Sequence, residues 1–186
     1  IGQVSLMHYY SKLFSEYDQI VAQVLITRDV VDDELKKQNT YNTFCTLLDY
    51  GVIPIVNEND TVATEEIEPI FGDNDTLSAV VAELIGADLL ILLSDIEGLY
   101  DKNPKAHEDA NLIPIIYDVC NQVIEGAEDT NNNLGTGGMK TKIGAARICS
   151  EAGIPMIITN GNDPDHIYEI LEGKDVGTLF VPKMNR

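Results

Sequence analysis

Short apolar runs that alternate with helix-like segments constrain the fold of this chain more than any other feature. The runs at residues 20–27, 52–56 and 89–94 are rich in branched aliphatic side chains, as buried strands are. Residues 33–50 and 140–152 instead show the wider apolar spacing of helices. Alternating strands and helices favour a parallel sheet with helices on both faces. We therefore predict an α/β fold, a three-layer αβα sandwich with a mainly parallel central sheet.

The rest of the chain extends this alternation. Residues 115–125 fit either a helix or a strand–helix junction, whereas residues 57–74 and most of 96–111 are expected to form loops. Asn74 or Asp75 is expected to cap the helix that begins at Thr76. The other expected helices are 2–17, 76–86 and 164–171, and the other expected strands are 155–159 and 177–181.

The length of 186 residues suits one domain with a sizeable core, and we predict a single domain over residues 1–186. We expect no membrane span, since no apolar run approaches the roughly 20 residues that one needs. The chain begins at Ile1, and a helical pattern is already under way at Gly2. We therefore expect an N-terminal piece of the fold to precede it.

The strongly acidic composition limits the possible partners. A net charge of −19 argues against nucleic acid, because phosphate backbones are bound by lysine and arginine. Only 12 Lys and Arg residues are present, so few positively charged side chains are available to form an anion site. Lys140 and Lys142 lie together in one loop and are the notable exception.

The cysteines indicate a reducing environment. Cys45, Cys120 and Cys149 lie in separate apolar stretches, so we expect buried thiols and not disulfides or metal ligands. The three histidines are equally scattered and show no metal-ligand spacing. We predict a cytoplasmic protein without a metal site built from its own side chains.

The segment at residues 135–142, of sequence GTGGMKTK, is the strongest functional motif. Its three glycines let the backbone approach a ligand closely, and a helical pattern begins directly after them. The N–H groups and dipole at the start of a helix attract anions, and Lys142 adds a positive charge. The segment predicts a phosphate site for ATP, although it lacks the P-loop pattern. The alternative is a flexible loop that only happens to be rich in glycine.

Two polar clusters flank the loop at residues 57–74. Residues 57–60 read Asn-Glu-Asn-Asp, and residues 72–75 read Gly-Asp-Asn-Asp. Such short side chains offer donors and acceptors with little conformational entropy to lose, which suits a small zwitterion. The alternative is a set of Asx-turns with a helix cap. We favour a ligand site for the whole set, because two apolar strands lead into it.

Ser94 and Asp95 follow the apolar run 89–93. In parallel sheets, ligands bind at the carboxyl ends of strands, where residues 57–60 and 160–162 also fall. A carboxylate at this position can accept a hydrogen bond from a ribose hydroxyl or an adenine amine. It can instead bind Mg²⁺ through water.

Five segments in family order resemble the glutamate 5-kinases of the amino-acid kinase family. The Gly-Asp-Asn-Asp and Gly-Thr-Gly-Gly-Met-x-Thr-Lys motifs are the most specific of them. The resemblance implies an amino-acid kinase fold and ATP-dependent phosphorylation of the L-glutamate γ-carboxylate to L-glutamyl 5-phosphate, the first step of proline biosynthesis. The segments are residues 52–64, 71–79, 87–100, 134–142 and 177–180, and the resemblance runs over nearly the whole chain.

The resemblance also implies roles for individual residues. Asp60 and Asn74 would hold glutamate, with Asn57 and Asp73 close by. Lys142 would neutralise charge on the transferring phosphoryl group, and Asp75 would orient catalytic lysines. The cofactors implied are ATP and Mg²⁺, with proline as a feedback inhibitor and a homodimer or homotetramer as the assembly. The implied nucleotide contacts are Ser94, Asp95, Thr136, Gly137, Gly138, Met139, Lys140, Thr141 and Lys142.

Two departures from the family pattern leave alternatives open. The family begins with a strand that carries a Lys-x-Gly-Ser/Thr phosphate loop, and this chain shows no such motif. Many bacterial members also carry a C-terminal RNA-modification-type domain, which we do not expect here. The alternatives are another amino-acid kinase that acts on a different carboxylate or phosphate, and a truncated non-catalytic domain that only binds ligands. A third is an acidic interaction protein with no small-molecule site.

Overall fold

The computed structural model describes residues 2–27, 29–59, 73–102, 104, 106–119 and 138–183. Within these ranges, no helix is both long and apolar enough to cross a membrane. The chain divides into two compact units, Ile1–Leu77 and Ser78–Arg186. The helices are α1 Gly2–Ser15, α2 Asp29–Asp32, α3 Glu34–Asp49, α4 Asn74–Ile85, α5 Met139–Glu151 and α6 His166–Leu171. The strands are β1 Val21–Ile26, β2 Ile53–Glu58, β3 Leu90–Ser94, β4 Ile115–Ile116, β5 Met156–Asn160 and β6 Thr178–Phe180.

The first unit is built on a parallel pair of strands, β1 and β2. Helix α3 connects them and packs against β2, where it buries Phe44. The helix begins at Asp33, whose carboxylate accepts hydrogen bonds from the N–H groups of Leu35 and Lys36. It ends before Gly51, which takes the positive φ of 68° that favours glycine after a helix. Local capping therefore sets both ends of the connection between the two strands.

The second unit holds a four-stranded sheet in the order β3-β5-β6-β4. β3 pairs with β5 and β4 pairs with β6 in parallel, whereas β5 and β6 are antiparallel. Helix α5 buries Ala145, Ala146 and Cys149 in the same core as Met156 and Ile158 of β5. Small side chains on this helix face allow close packing against the sheet, which fixes α5 along β5.

The predicted α/β class is confirmed, but several details of the sequence prediction were wrong. β2 continues through Asn57 and Glu58 because both residues still pair with β1. Residues 115–125 contain the two-residue strand β4, and those after 119 lie outside the described ranges. α2 was not predicted, nor was the antiparallel direction of β6 against β5. The prediction of a single domain over residues 1–186 stays a prediction.

The described cysteines are free thiols. Cys149 is buried and Cys45 is half-buried, whereas Cys120 lies outside the described residues. Burial, and to a smaller extent the Glu83 carboxylate, raise the pKa of the Cys149 thiol to about 11. The neutral thiol is therefore the form that this core accommodates.

Gly177 fixes the turn that leads into β6. Its φ is +74°, and a Cβ atom at this position would lie only 2.1 Å from the main-chain oxygen of Ile158. Gly173 has a similar φ of +80°, but a Cβ atom there would meet nothing within 4 Å. Alanine at Gly173 would therefore introduce backbone strain alone, whereas alanine at Gly177 would add a steric clash with the sheet.

We expect Gly177→Ala to destabilise the protein much more than Gly173→Ala. Left-handed backbone alone costs an alanine about 1–2 kcal/mol, and Gly173→Ala should show only this loss. Gly177→Ala adds a clash with rigid backbone, so its loss should exceed about 3 kcal/mol. Denaturant unfolding of both variants measures the difference. Equal losses of stability in the two variants would contradict this expectation, because they would show that the backbone of β5 and β6 can move apart here at little cost.

Candidate functional site

The carboxyl edge of the second sheet brings two of the predicted segments together. Ser94 ends β3 and Asn160 ends β5, and the two residues are register partners in the parallel pair. The N–H of Gly161 donates to the main-chain oxygen of Ser94 at 2.7 Å, just beyond the last paired residues. This is the edge at which parallel sheets bind ligands.

The turn after β3 is held in place from both sides. At its start, the Ser94 hydroxyl donates to Asp95 Oδ1 at 3.2 Å. At its end, the N–H of Leu99 donates to the Thr178 hydroxyl at 2.8 Å. Gly98 permits this approach, since a Cβ atom there would lie 2.5 Å from Thr178 Oγ1. The exposed carboxylate of Asp95 therefore projects from a turn whose backbone is fixed.

The turn after β5 contains a polar network that the sequence did not predict. Asn160 Nδ2 donates to Glu97 Oε1 at 2.7 Å, and Asn160 Oδ1 accepts from the N–H of Asn162 at 2.8 Å. His166 Nδ1 lies 3.2 Å from both the Thr159 hydroxyl and the Asn160 main-chain oxygen. The main-chain oxygen only accepts, whereas the Thr159 hydroxyl can donate or accept, so the direction of these contacts depends on the tautomer of the ring. Sequence position placed residues 160–162 at this edge but revealed neither Glu97 nor His166 as a partner.

Helix α5 begins with a glycine cap. Gly138 is extended, with φ −77° and ψ −168°, and as a glycine it offers the helix no capping side chain. The Thr141 hydroxyl donates back to the Gly138 oxygen at 2.8 Å. α5 leads into β5 through the short turn at residues 152–155, so the helix runs back along the sheet. Its first turn therefore points toward the carboxyl edge, and its dipole favours an anion there.

Lys142 occupies an unusual position in α5. It is buried, with 8% of its surface exposed, on the helix face that also carries Ala145, Ala146 and Cys149. A lysine is rarely buried among small and apolar residues unless it has a polar partner. A positive charge near a helix N-terminus also opposes the helix dipole. Lys142 therefore lies in the first turn of the helix that points toward the carboxyl edge.

Most of the predicted nucleotide residues are described. Ser94 and Asp95 lie at the end of β3, and Thr136 and Gly137 lie outside the described residues. The described part of the glycine-rich motif forms the cap and first turn of α5, and it consists of Gly138, Met139, Lys140, Thr141 and Lys142. The structure thus places the two predicted nucleotide segments within one unit.

The predicted glutamate residues belong to two element ends in the first unit. Asn57 is half-buried near the end of β2, and its Oδ1 accepts the N–H of Glu58 at 2.9 Å. Asp60 lies outside the described residues. Asn74 and Asp75 form the first residues of α4, Asn74 exposed and Asp75 half-buried.

Asp73, and not Asn74 or Asp75, caps α4. Its Oδ1 accepts the N–H of Thr76 at 2.8 Å, which is the usual bond of a helix N-cap. Its Oδ2 lies 3.4 Å from the Thr76 hydroxyl. Asn74 and Asp75 are themselves helical, so the helix starts one residue earlier than a cap at Asn74 would allow. The predicted contact of Asp73 with a substrate stays a prediction.

We expect Asp73→Ala to lower the free energy of unfolding by about 1 kcal/mol, because the first turn of α4 loses its cap. Asp73→Asn keeps an acceptor oxygen at the same place and should restore most of that loss. Thermal unfolding without ligands checks both variants. A large loss in Asp73→Asn would show that the carboxylate charge, and not the cap, is what stabilises this end of the helix.

Comparisons with known proteins agree with this architecture. The model of the amino acid kinase family matches residues 1–160. A glutamate 5-kinase of Clostridium acetobutylicum is 55% identical over 183 residues, which cover 98% of this chain and 68% of that protein. A glutamate 5-kinase of Clostridium perfringens is 50% identical over 185 residues, which cover 98% of this chain and 69% of that protein. The predicted resemblance to the glutamate 5-kinases and the predicted kinase class are confirmed.

Solved structures show the same fold at much lower identity. An isopentenyl phosphate kinase superposes with a TM-score of 0.63 at 19% identity, over 95% of this chain and 66% of that one. A UMP kinase of Ureaplasma parvum superposes with a TM-score of 0.56 at 19% identity, over 88% of this chain and 60% of that one. The chain thus spans slightly less than two thirds of the length of these solved kinases, and the similarity establishes the fold alone.

Proposed function

This chain belongs to the amino acid kinase family, and we propose that it forms part of a glutamate 5-kinase. The reaction is ATP + L-glutamate → ADP + L-glutamyl 5-phosphate, the first step of proline biosynthesis. A γ-carboxylate oxygen of glutamate attacks the γ-phosphorus of ATP while the bond to the β-phosphate oxygen breaks, and ADP leaves. The observation that carries the proposal is the helix N-terminus of α5 with its buried Lys142, at the sheet edge that also carries Ser94 and Asp95.

The residues at this edge suit phosphoryl transfer without a general base. The attacking carboxylate is already ionised near neutral pH, so no side chain has to remove a proton. Catalysis then depends on positioning and on neutralising the charge of the phosphoryl oxygens. The dipole of α5 and the ammonium group of Lys142 supply positive potential in a chain that is otherwise strongly acidic. Ser94 and Asp95 offer a hydroxyl and a carboxylate to the nucleotide.

We propose that Mg²⁺ enters as part of the ATP complex. In the described parts of the chain, no three His, Cys, Asp or Glu side chains come together as a metal site. Mg²⁺ in kinases is commonly held by substrate phosphates, its own waters and one or two carboxylates. Asp95 fits the carboxylate in such a set, because it is exposed on a fixed turn. Bound Mg²⁺ would shield the charge between the β- and γ-phosphates.

Replacement of Lys142 tests the charge argument. We expect Lys142→Met to lower kcat by about 10²–10³, the usual loss when one electrostatic donor is removed from a transition state. The uncharged side chain has a similar length, so the fold should persist. Lys142→Ala should be equally inactive. Lys174→Met is the matched control, since Lys174 is an exposed lysine that pairs with Glu169 and Glu172.

Steady-state kinetics and thermal unfolding of these three variants decide the result. The role of Lys142 would be refuted by normal turnover in a folded Lys142→Met protein.

Replacement of Asp60 tests the proposed glutamate site. By resemblance, Asp60 contacts the substrate, so Asp60→Ala should raise the KM for glutamate about tenfold or more and leave the KM for ATP nearly unchanged. Asn74→Ala should act in the same direction. Initial rates at varied glutamate and fixed saturating ATP provide the measurement. An unchanged KM for glutamate in both variants would refute this assignment.

A substrate panel separates the proposed acceptor from those of other family members. ADP release by the purified protein should depend on L-glutamate and not on aspartate, N-acetylglutamate, carbamate, UMP or isopentenyl phosphate. Release that depends on a different acceptor would identify another amino acid kinase. Thermal stabilisation by ATP–Mg²⁺ without turnover of any acceptor would instead favour a ligand-binding domain.

We further propose proline as a feedback inhibitor, a homodimer or homotetramer as the assembly, and a cytoplasmic location. These three proposals rest on the resemblance to the glutamate 5-kinases, and the location also rests on the cysteines. Inhibition by proline that added glutamate relieves would support the first proposal. A native mass of two or four chains would support the second.

A further inference from the structure

Asn160 and Glu97 join the two turns at the carboxyl edge of the second sheet. Asn160 Nδ2 donates to Glu97 Oε1 at 2.7 Å, and its Oδ1 accepts the N–H of Asn162 at 2.8 Å. The bonds fix the amide orientation, because a flipped amide would set Oδ1 against a carboxylate and Nδ2 against an N–H group. Both ends of this side chain are therefore used within the protein.

The bond to Glu97 matters because Glu97 lies in the turn that bears Asp95. The turn at residues 95–98 bears Asp95 and is held at three points. Its start is tied to the β5 end by the bond from Gly161 N–H to Ser94 oxygen, and its end is tied to Thr178. Its middle is tied to the β5 end by the pair of Glu97 with Asn160. Two of the three ties thus come from residues 160 and 161.

We propose that Asn160 and Glu97 are positioning residues for the nucleotide. The pair holds the turn so that Asp95 and Ser94 face ATP in a preformed arrangement. Less conformational entropy is then lost when ATP binds. It acts through Asp95, since one N–H and one lone pair of the Asn160 amide are engaged in holding the two turns. The inference rests on the proposed function and extends it to two residues that the motifs left without a role.

An exchange of donor and acceptor tests the pair. Asn160→Asp sets two carboxylates against each other at hydrogen-bond distance, whereas Glu97→Gln leaves a neutral amide pair that can still bond. The double variant Asn160→Asp/Glu97→Gln restores a bond with its direction reversed and keeps the net charge of the wild type. The new carboxylate at position 160 still accepts the N–H of Asn162. The control Asn162→Asp adds the same charge to the same loop at a residue whose main-chain N–H, and not its side chain, bonds to Asn160.

We expect Asn160→Asp to weaken ATP–Mg²⁺ binding about five- to tenfold, as loss of a charged hydrogen bond at a solvent-accessible site would. The KM for ATP should rise equally, while kcat and the KM for glutamate change by less than about threefold. Asn162→Asp should remain within about twofold of the wild type, whereas Glu97→Gln, which replaces the charged bond by a neutral one, should fall between the wild type and Asn160→Asp. The double variant should also return to within about twofold. Isothermal titration calorimetry gives the Kd, and initial rates give the KM values.

Three outcomes are distinguishable. If the wild type neither binds ATP–Mg²⁺ nor phosphorylates glutamate, the proposed function fails and the inference fails with it. If the wild type binds ATP and Asn160→Asp binds equally well, only the inference is overturned. A double variant as weak as Asn160→Asp would also overturn it, because the pair would then not be the cause. Should Asn160→Asp fail to fold, Asn160→Ala removes the bond without the repulsion and should show the same rise in Kd.

Discussion

The parallel pairing of β3 with β5 is the constraint on which the second unit depends. Its register sets Ser94 opposite Asn160, and a shift by one residue would turn each side chain to the other face of the sheet. Parallel neighbours also require a crossover, and here the crossover ends in α5. One pairing therefore brings the ends of two strands to a common edge and points the helix that carries Lys142 toward it.

The helices differ in how their first turns are satisfied. α3 and α4 begin with aspartates whose carboxylates accept main-chain N–H groups. α5 begins after Gly138, which has no side chain with which to cap it. A capping carboxylate would place a negative charge where a phosphate is proposed to bind, so a glycine at the cap position suits an anion site. The buried Lys142 adds a charge that helix stability alone disfavours, as is common where function overrides local preference.

Sequence patterns predicted the parts of the fold that depend on local periodicity. The strands around residues 21–26, 90–94 and 156–160 are long enough to show it, and the glycine-rich motif directly marked the start of α5. β4 has two residues, too few for any periodicity, and the direction of β6 depends on its neighbours in the sheet. The cap of α4 shifted to Asp73 because capping residues cluster there and helix ends vary by a residue or two. The bond between Glu97 and Asn160 joins residues 63 apart in the chain, so no local pattern could reveal it.

The sequence Asn160-Gly161 is of a kind prone to spontaneous deamidation. The main-chain nitrogen of a glycine is unhindered and can attack the side-chain carbonyl carbon of the preceding asparagine. Ammonia leaves, and water then opens the resulting succinimide ring to aspartate or isoaspartate. Here that nitrogen donates to Ser94, and the amide nitrogen that would leave donates to Glu97. The hydrogen bonds that hold the turn therefore also slow the deamidation of Asn160. The rate of deamidation then depends on how often those two bonds open.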